Sequence, residues 1–205
     1  MAAAYPPGGT FFDNRKSFAS IPLEPSSDPQ IPTGPFLEAA EALTALFDVL
    51  GSAAFKPVKS DMNGNIKKIR DRQLVSPLES ETLQGLVKTE LREKKSHTAT
   101  EGLVWLVRGL DFTAQALRHN TSNPSSELAA SFRESYTHTL KPHHSMFVKP
   151  IFSAAMSATP YRKDFYAKLG DDQTRVSKEL DDWLTALEKN VKVLNTFLAK
   201  PEAKW

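Results

Sequence analysis

The chain has 205 residues, 40% of them hydrophobic, enough for one sizeable core and short for two. Its 26 Lys and Arg against 24 Asp and Glu leave a formal charge of only +2, which argues against a strongly basic nucleic-acid footprint despite a sequence pI near 8.7. With no cysteine there is no disulfide, thiolate metal site or cysteine nucleophile, and no apolar run approaches the ~18 residues of a membrane span, so the expected address is the cytoplasm.

Seven of the fourteen prolines (Pro6, Pro7, Pro22, Pro25, Pro29, Pro32 and Pro35) crowd the start of the chain. Residues 1–30 therefore read as an irregular leader, packed on or near a single domain over 31–205. Beyond Pro35 the punctuation thins, and the nine glycines of the whole chain are too few for a strand-and-turn protein. Apolar residues recur at three- and four-residue spacing and predict helices over 36–50, 61–74, 81–91, 98–117, 126–140, 144–158, 161–169 and 176–198. The last is the strongest, with Val176, Leu180, Trp183, Leu184, Leu187, Val191, Leu194 and Leu198 on one stripe. Pro150 falls inside a predicted helix and is expected to bend it. About eight helices joined by short turns predict an all-α, layered fold rather than a simple four-helix bundle.

Three places break the core pattern. At about 100° per residue, Asn65, Lys68 and Arg72 fall within about 40° of Asp61, apart from the apolar face of Met62, Ile66 and Ile69. A solvated face with i,i+4 partners explains such a row. The DMNGN run around Gly64 is nevertheless poor helix material, and Gly64 could admit a ligand close to the backbone. In WLVRGL, Trp105 points about 200° away from the Leu103 stripe, together with Arg108 and Phe112. Either that helix is sandwiched between two layers, or the indole is a platform for a sugar, a cation or a base. His144 begins a predicted helix and shares a face with Val148, Ile151 and Ala155, flanked by Phe147 and Phe152. It reads as a satisfied core or capping histidine, or as a polar tip above an apolar wall.

Metal binding is disfavoured, because His138, His143 and His144 lack i,i+4 spacing on one helix and Pro142 interrupts them. No nucleophile elbow, P-loop, H-E-x-x-H or dinucleotide fingerprint is present, and nothing supplies a nucleophile beside Asp61 and His144. The expectation is a non-enzyme with no cofactor.

These same residues carry a resemblance. TGPFLEA at 33–39, LFDVLGS at 46–52, FKPVKSDMNGNIKKI at 55–69, WLVRGL at 105–110 and HHSMFVKPIFSAAMSATPYRKDF at 143–165 resemble the glycolipid transfer protein family. With FFDNRKSF at 11–18, the chain is similar to its fungal heterokaryon-incompatibility (het-c type) branch. The resemblance implies a two-layer helical sandwich holding one glycosphingolipid, with a mono- or dihexosyl head group outside and the ceramide chains in an apolar pocket. Matched by position, Asp61 would contact a sugar hydroxyl and the ceramide amide nitrogen, and Asn65 and Lys68 would bond sugar hydroxyls. Trp105 would stack under the first sugar, and His144 would donate to the amide carbonyl. Phe36, Phe147, Val148, Ile151, Phe152 and Ala155 are pocket or gate candidates.

Departures from the family pattern matter too. Met146 stands where animal members carry tryptophan, and the chain ends AKW, so Met146, Phe147 or Trp205 are the expected membrane contacts. Glu101 is a charge where an apolar residue is expected. The resemblance implies a cytoplasmic monomer that touches membranes transiently. A ceramide-1-phosphate-type carrier, or a helical protein-interaction module without lipid, is the alternative.

Overall fold

The computed structural model describes residues 5–24, 26–94 and 96–205. Apart from two isolated β-bridges, regular structure among them is helical: α1 (Thr33–Thr44), α2 (Leu46–Val75), α3 (Leu83–Glu93), α4 (Thr98–Ser122), α5 (Leu128–His138), α6 (Val148–Ser157), α7 (Arg162–Leu169) and α8 (Gln173–Leu198), with 3-10 turns at Phe18–Ser20 and Pro201–Ala203. None of these helices is long and apolar enough to cross a membrane.

Two predicted boundaries differ from the structure. The helix expected over 36–50 divides at Ala45, and α2 then runs through the stretch 51–60 that was expected to separate two helices. Gly51 absorbs the change of direction at φ 122, ψ 93, a backbone state that a side chain would oppose. The helix resumes because Phe47, Leu50, Phe55, Val58 and Met62 are buried on both sides of the bend, so packing outweighs the breakers. Asp61 consequently lies mid-helix rather than at a helix start. The helix expected over 144–158 starts only at Val148, leaving His144 in the preceding turn. Pro150 then falls in the first turn of α6, where its missing N–H costs no intrahelical bond and no bend is needed.

The long α4 is the middle of the assembly. Gly102 on one side meets Lys68 of α2, whereas Arg118 on the other donates to Glu188 of α8 at 2.7 and 2.9 Å and also pairs with Asp181. Buried residues therefore surround α4, and Leu103, Leu106, Leu110, Phe112 and Leu117 have no exposed surface. Its first turn is capped from outside, since the buried Glu90 of α3 accepts from the N–H groups of Ala99 (3.0 Å) and Thr100 (2.7 Å) and from the Thr100 hydroxyl (2.7 Å). On the α5 side, the Ser135 hydroxyl donates to the Phe112 carbonyl at 2.7 Å. The start of α8 is capped by Asp172, which accepts from Thr174 N and Arg175 N.

The leader closes over the helices. Phe11, Phe18 and Ile21 are buried, Phe11 N donates to Leu169 O at 2.7 Å, and Asn190 Nδ2 donates to Phe18 O at 3.3 Å. Phe18 meets Phe36 edge-on at 5.6 Å.

Candidate functional site

Three helices and a turn converge on one cleft of about 310 Å³, lined by Pro57, Asp61, Asn65 and Lys68 of α2, Glu101 and Trp105 of α4, His144 of the turn before α6, and Val148, Ile151 and Phe152 of α6. The polar α2 row is a chain of contacts. Asn65 Nδ2 donates to Asp61 Oδ2 at 3.2 Å, and Lys68 Nζ donates to Asn65 Oδ1 at 3.3 Å. Arg72, the fourth member of that row, turns away to form a bidentate pair with Glu93 of α3 at 2.7 and 3.1 Å. The apolar wall pushes the Asp61 carboxyl above its ordinary value by desolvation, with the Lys68 ammonium opposing, although the residue is open to solvent on its outer side.

Gly102 explains how α2 comes so near. A Cβ there would lie 3.1 Å from Lys68 Cβ and 3.2 Å from Asn65 O, tighter than an ordinary contact, so glycine lets the two helices meet at this spacing without displacement while Lys68 and Trp105 face the same cleft. Gly64 has no such role, because a Cβ there would meet nothing within 4 Å.

Trp105 is half-buried. The Arg108 guanidinium sits 4.8 Å from its ring centroid, and the His144 imidazole stacks on it at 5.7 Å and 19°. His144 is also packed 4.5 Å from Phe152, and its Nδ1 lies 3.1 Å from the Tyr136 hydroxyl. Desolvation first, and then the nearby His143, Lys149 and Arg108, hold His144 below its ordinary pKa, so it is neutral at pH 7. The floor is aromatic, since Phe152 lies flat on Tyr136 (5.4 Å, 11°) and edge-on to Phe112 (6.1 Å).

Chemically, the cleft pairs an acceptor-only carboxylate with a neutral imidazole, an amide, an ammonium and an aromatic plate, above hydrocarbon. A family model described as glycolipid transfer protein matches residues 31–171. A glycolipid transfer protein from Aureobasidium melanogenum is 68% identical over 204 residues, covering 99% of this chain and 100% of the relative. The chain belongs to the glycolipid transfer protein family. Its fold superposes on the crystal structure of HET-C2, a fungal glycolipid transfer protein, with a TM-score of 0.92 at 60% identity over 96% of this chain and 100% of the other. A structure described as showing how FAPP2 selects simple glycosphingolipids using the same fold gives a TM-score of 0.84 at 31% identity, over 96% and 98% of the two chains. The eight-helix, all-α architecture is thus that of the glycolipid transfer protein fold.

The fold brings Asp61, Asn65, Lys68, Trp105 and His144 into this one cleft. Of the apolar candidates, Val148, Ile151 and Phe152 line it, and Ala155 is buried on the same helix. Phe36 does not belong to the lining, being fully buried against Phe18 under the leader, and Phe147 is 86% exposed. Met146 is 80% exposed beside it. Trp205, 57% exposed, stacks on His97 at 5.2 Å in a second cleft that shares Glu101 with the first. His144 reaches the site from a turn, not from the helical face expected of it. Sequence reasoning missed Pro57, Gly102 and Tyr136. Only Gly102 carries a signal, a glycine three residues before an off-stripe tryptophan in mid-helix.

Proposed function

We propose that the protein takes one glycosphingolipid from a membrane, holds it with its sugar in the Asp61–Trp105 cleft, and delivers it to another membrane without any covalent step. The observation that carries this reading is the polar row of Asp61, Asn65 and Lys68 facing Trp105 and His144 across a cleft whose inner wall is Val148, Ile151 and Phe152. A hexose presents hydroxyls to such a row and an apolar ring face to an indole. An amide offers an N–H to Asp61 and a carbonyl to His144. The ceramide chains go deeper by parting the Phe152–Tyr136–Phe112 stack, because the interior beyond it is filled by side chains such as Phe55 and Phe132.

The lining favours sugar over a phosphomonoester. The carboxylates of Asp61 and Glu101 oppose a doubly charged phosphate, while of the nearby cations Lys68 is tied to Asn65, Arg108 is held over the Trp105 ring, and Lys149 does not line the cleft. Exposed Met146 and Phe147, with Ile151 behind them, are the surface that dips into the bilayer, and Trp205 is a second contact. The protein works as a cytoplasmic monomer, peripheral to membranes.

Vesicle-to-vesicle transfer tests the proposal. Fluorescent galactosylceramide should move and ceramide-1-phosphate should not, and native mass spectrometry of protein from a eukaryotic host should carry a mass matching a hexosylceramide. Transfer of ceramide-1-phosphate alone would replace sugar with phosphate as the ligand. Transfer of neither, with no co-purified lipid, would leave a helical protein-interaction module.

A further inference from the structure

The imidazole of His144 has two nitrogens, and among the described residues only one of them has a hydrogen-bond partner. Nδ1 lies 3.1 Å from the hydroxyl of Tyr136, and no described residue hydrogen-bonds Nε2. Three rings clamp the imidazole so that it cannot swing away: Trp105 stacked at 5.7 Å, Phe152 at 4.5 Å and Tyr136 itself at 5.7 Å. Tyr136 is just as tightly held. It is 5% exposed, lies flat on Phe152 and meets Phe112 edge-on at 6.3 Å.

Two proton arrangements fit the 3.1 Å contact. In one, the tyrosine O–H donates to Nδ1 and the ring proton sits on Nε2. In the other, Nδ1–H donates to the tyrosine oxygen, and the buried O–H is left with no acceptor among the described residues. An unmade hydrogen bond on a buried donor is costly, so the first arrangement wins. Burial also raises the Tyr136 pKa, which keeps the phenol protonated and available as a donor.

We infer that Tyr136 is a positioning residue that fixes the proton of His144 on Nε2, so that the imidazole meets the lipid as a hydrogen-bond donor and selects an acceptor. Asp61 across the cleft is ionised and accepts only. Donor on one wall and acceptor on the other match the C=O and N–H of a secondary amide, as in a ceramide, better than an ester, which has no N–H to give. The inference rests on the proposed lipid reading for its consequence. Its structural content does not.

The test uses the lipid-free protein. Long-range proton–nitrogen correlation spectra of the full chain labelled with ¹⁵N-histidine report which ring nitrogen is protonated, and a His144→Gln sample assigns the His144 signals. The wild-type spectrum should show unprotonated Nδ1 and protonated Nε2 at pH 7.5. Tyr136→Phe keeps the ring stacking but removes the hydroxyl, and should give a mixture of tautomers with an unchanged circular dichroism spectrum. Its affinity for short-chain galactosylceramide should fall about three- to tenfold, the size of one neutral hydrogen bond. A wild-type proton on Nδ1 overturns the inference even if the variant fails to fold, and so does an unaltered Nε2–H in a folded Tyr136→Phe protein. If the tautomer is as stated but the wild type does not bind galactosylceramide, the lipid reading fails instead; if it binds and His144→Ala binds equally well, the inference fails in its consequence, and Tyr136 merely orders an idle histidine.

Discussion

The imidazole of His144 lies almost parallel to the indole of Trp105, with ring centroids 5.7 Å apart and planes at 19°. The two rings proposed as sugar plate and amide donor are therefore one packed unit, and the Arg108 guanidinium adds a cation 4.8 Å from the same indole. A sugar arriving on this unit changes the water and charge around the indole.

Trp105 emission should blue-shift or quench when galactosylceramide vesicles are added and barely change with phosphatidylcholine. Trp183 is 7% exposed and Trp205 is 57% exposed, so both contribute background. Trp105→Phe is the control, and a response that persists in it removes Trp105 from the site.

Asp61→Val should abolish transfer without unfolding the chain. Asp61 is mid-helix and caps nothing, valine and aspartate have similar helix propensities, and the desolvated carboxylate is a cost to the lipid-free fold. The melting temperature should stay close to wild type, because the relieved desolvation offsets the hydrogen bond that the buried Asn65 amide loses. Binding loses charge-assisted hydrogen bonds worth roughly 1.5–3 kcal/mol each, so affinity should drop about a hundredfold or more. Lys68→Ala, acting through a flexible stem, should lose less. Calorimetry beside transfer of fluorescent galactosylceramide measures both quantities, and near-wild-type transfer by folded Asp61→Val would sink the site.

Acid should act on affinity and on stability through different groups. The Asp61 pKa is raised above 3.8 in the fold, so binding should be flat at neutral pH and decline at a higher pH than an ordinary carboxylate would give. His144 is held below 6.5. Above 6.5 it is neutral folded and unfolded; below, the unfolded chain binds the proton that the fold resists, so stability falls with pH until the folded pKa is passed. Asp61 has the opposite sign, since the fold takes its proton first and gains stability as pH drops through the raised pKa. His144→Gln should therefore lose less melting temperature than wild type between about pH 7 and pH 5.5. An equal drop in both would show that His144 does not titrate as a buried base.

Gly102→Val should weaken binding although Gly102 offers no side chain to a ligand. A Cβ meets Lys68 Cβ at 3.1 Å and Asn65 O at 3.2 Å, and valine adds two methyl groups to that contact. The helices must separate, and the polar row then drifts from Trp105. A stability loss of about 1–3 kcal/mol and at least a tenfold loss of affinity are expected, with Gly102→Ala milder in both. Unchanged affinity in a destabilised Gly102→Val would mean that the α2–α4 spacing does not set the site.

Replacing Met146 and Phe147 by serine should slow transfer between vesicles and leave affinity for a soluble short-chain glycolipid intact. Both side chains are more than three-quarters exposed and neither lines the cleft. With a formal charge of +2, the protein has little electrostatic anchoring to compensate. Equal loss of rate and affinity would place Phe147 in the lipid pocket instead.

The helical class was legible because each helix needs an apolar stripe, and stripes are local. The polar residues of the site were legible because they violate such stripes, as Trp105 does on α4 and Asp61, Asn65 and Lys68 do on α2. Their combination with WLVRGL and the later histidine pointed to the family. Breaks were misread wherever packing outvoted a local signal. Gly51 kinks α2 without ending it, and Pro57 lies inside the helix, because buried residues on both sides hold the two halves together. Phe36 matched the family pattern yet packs under the leader, and apolar character alone does not say which side of a core a side chain faces.

What the sequence by itself determined is the helical class, the near-neutral charge and the residue types of a polar row beside an off-stripe tryptophan. Tertiary structure alone decided three things: that Gly102 brings Lys68 beside Trp105, that the turn after α5 lays His144 on that indole, and that the Tyr136 hydroxyl reaches its Nδ1. The reason is physical. Periodicity records which face of a helix is dry, an average over many weak contacts, whereas a hydrogen bond or a close helix crossing depends on a few ångströms of placement between segments that no local pattern encodes.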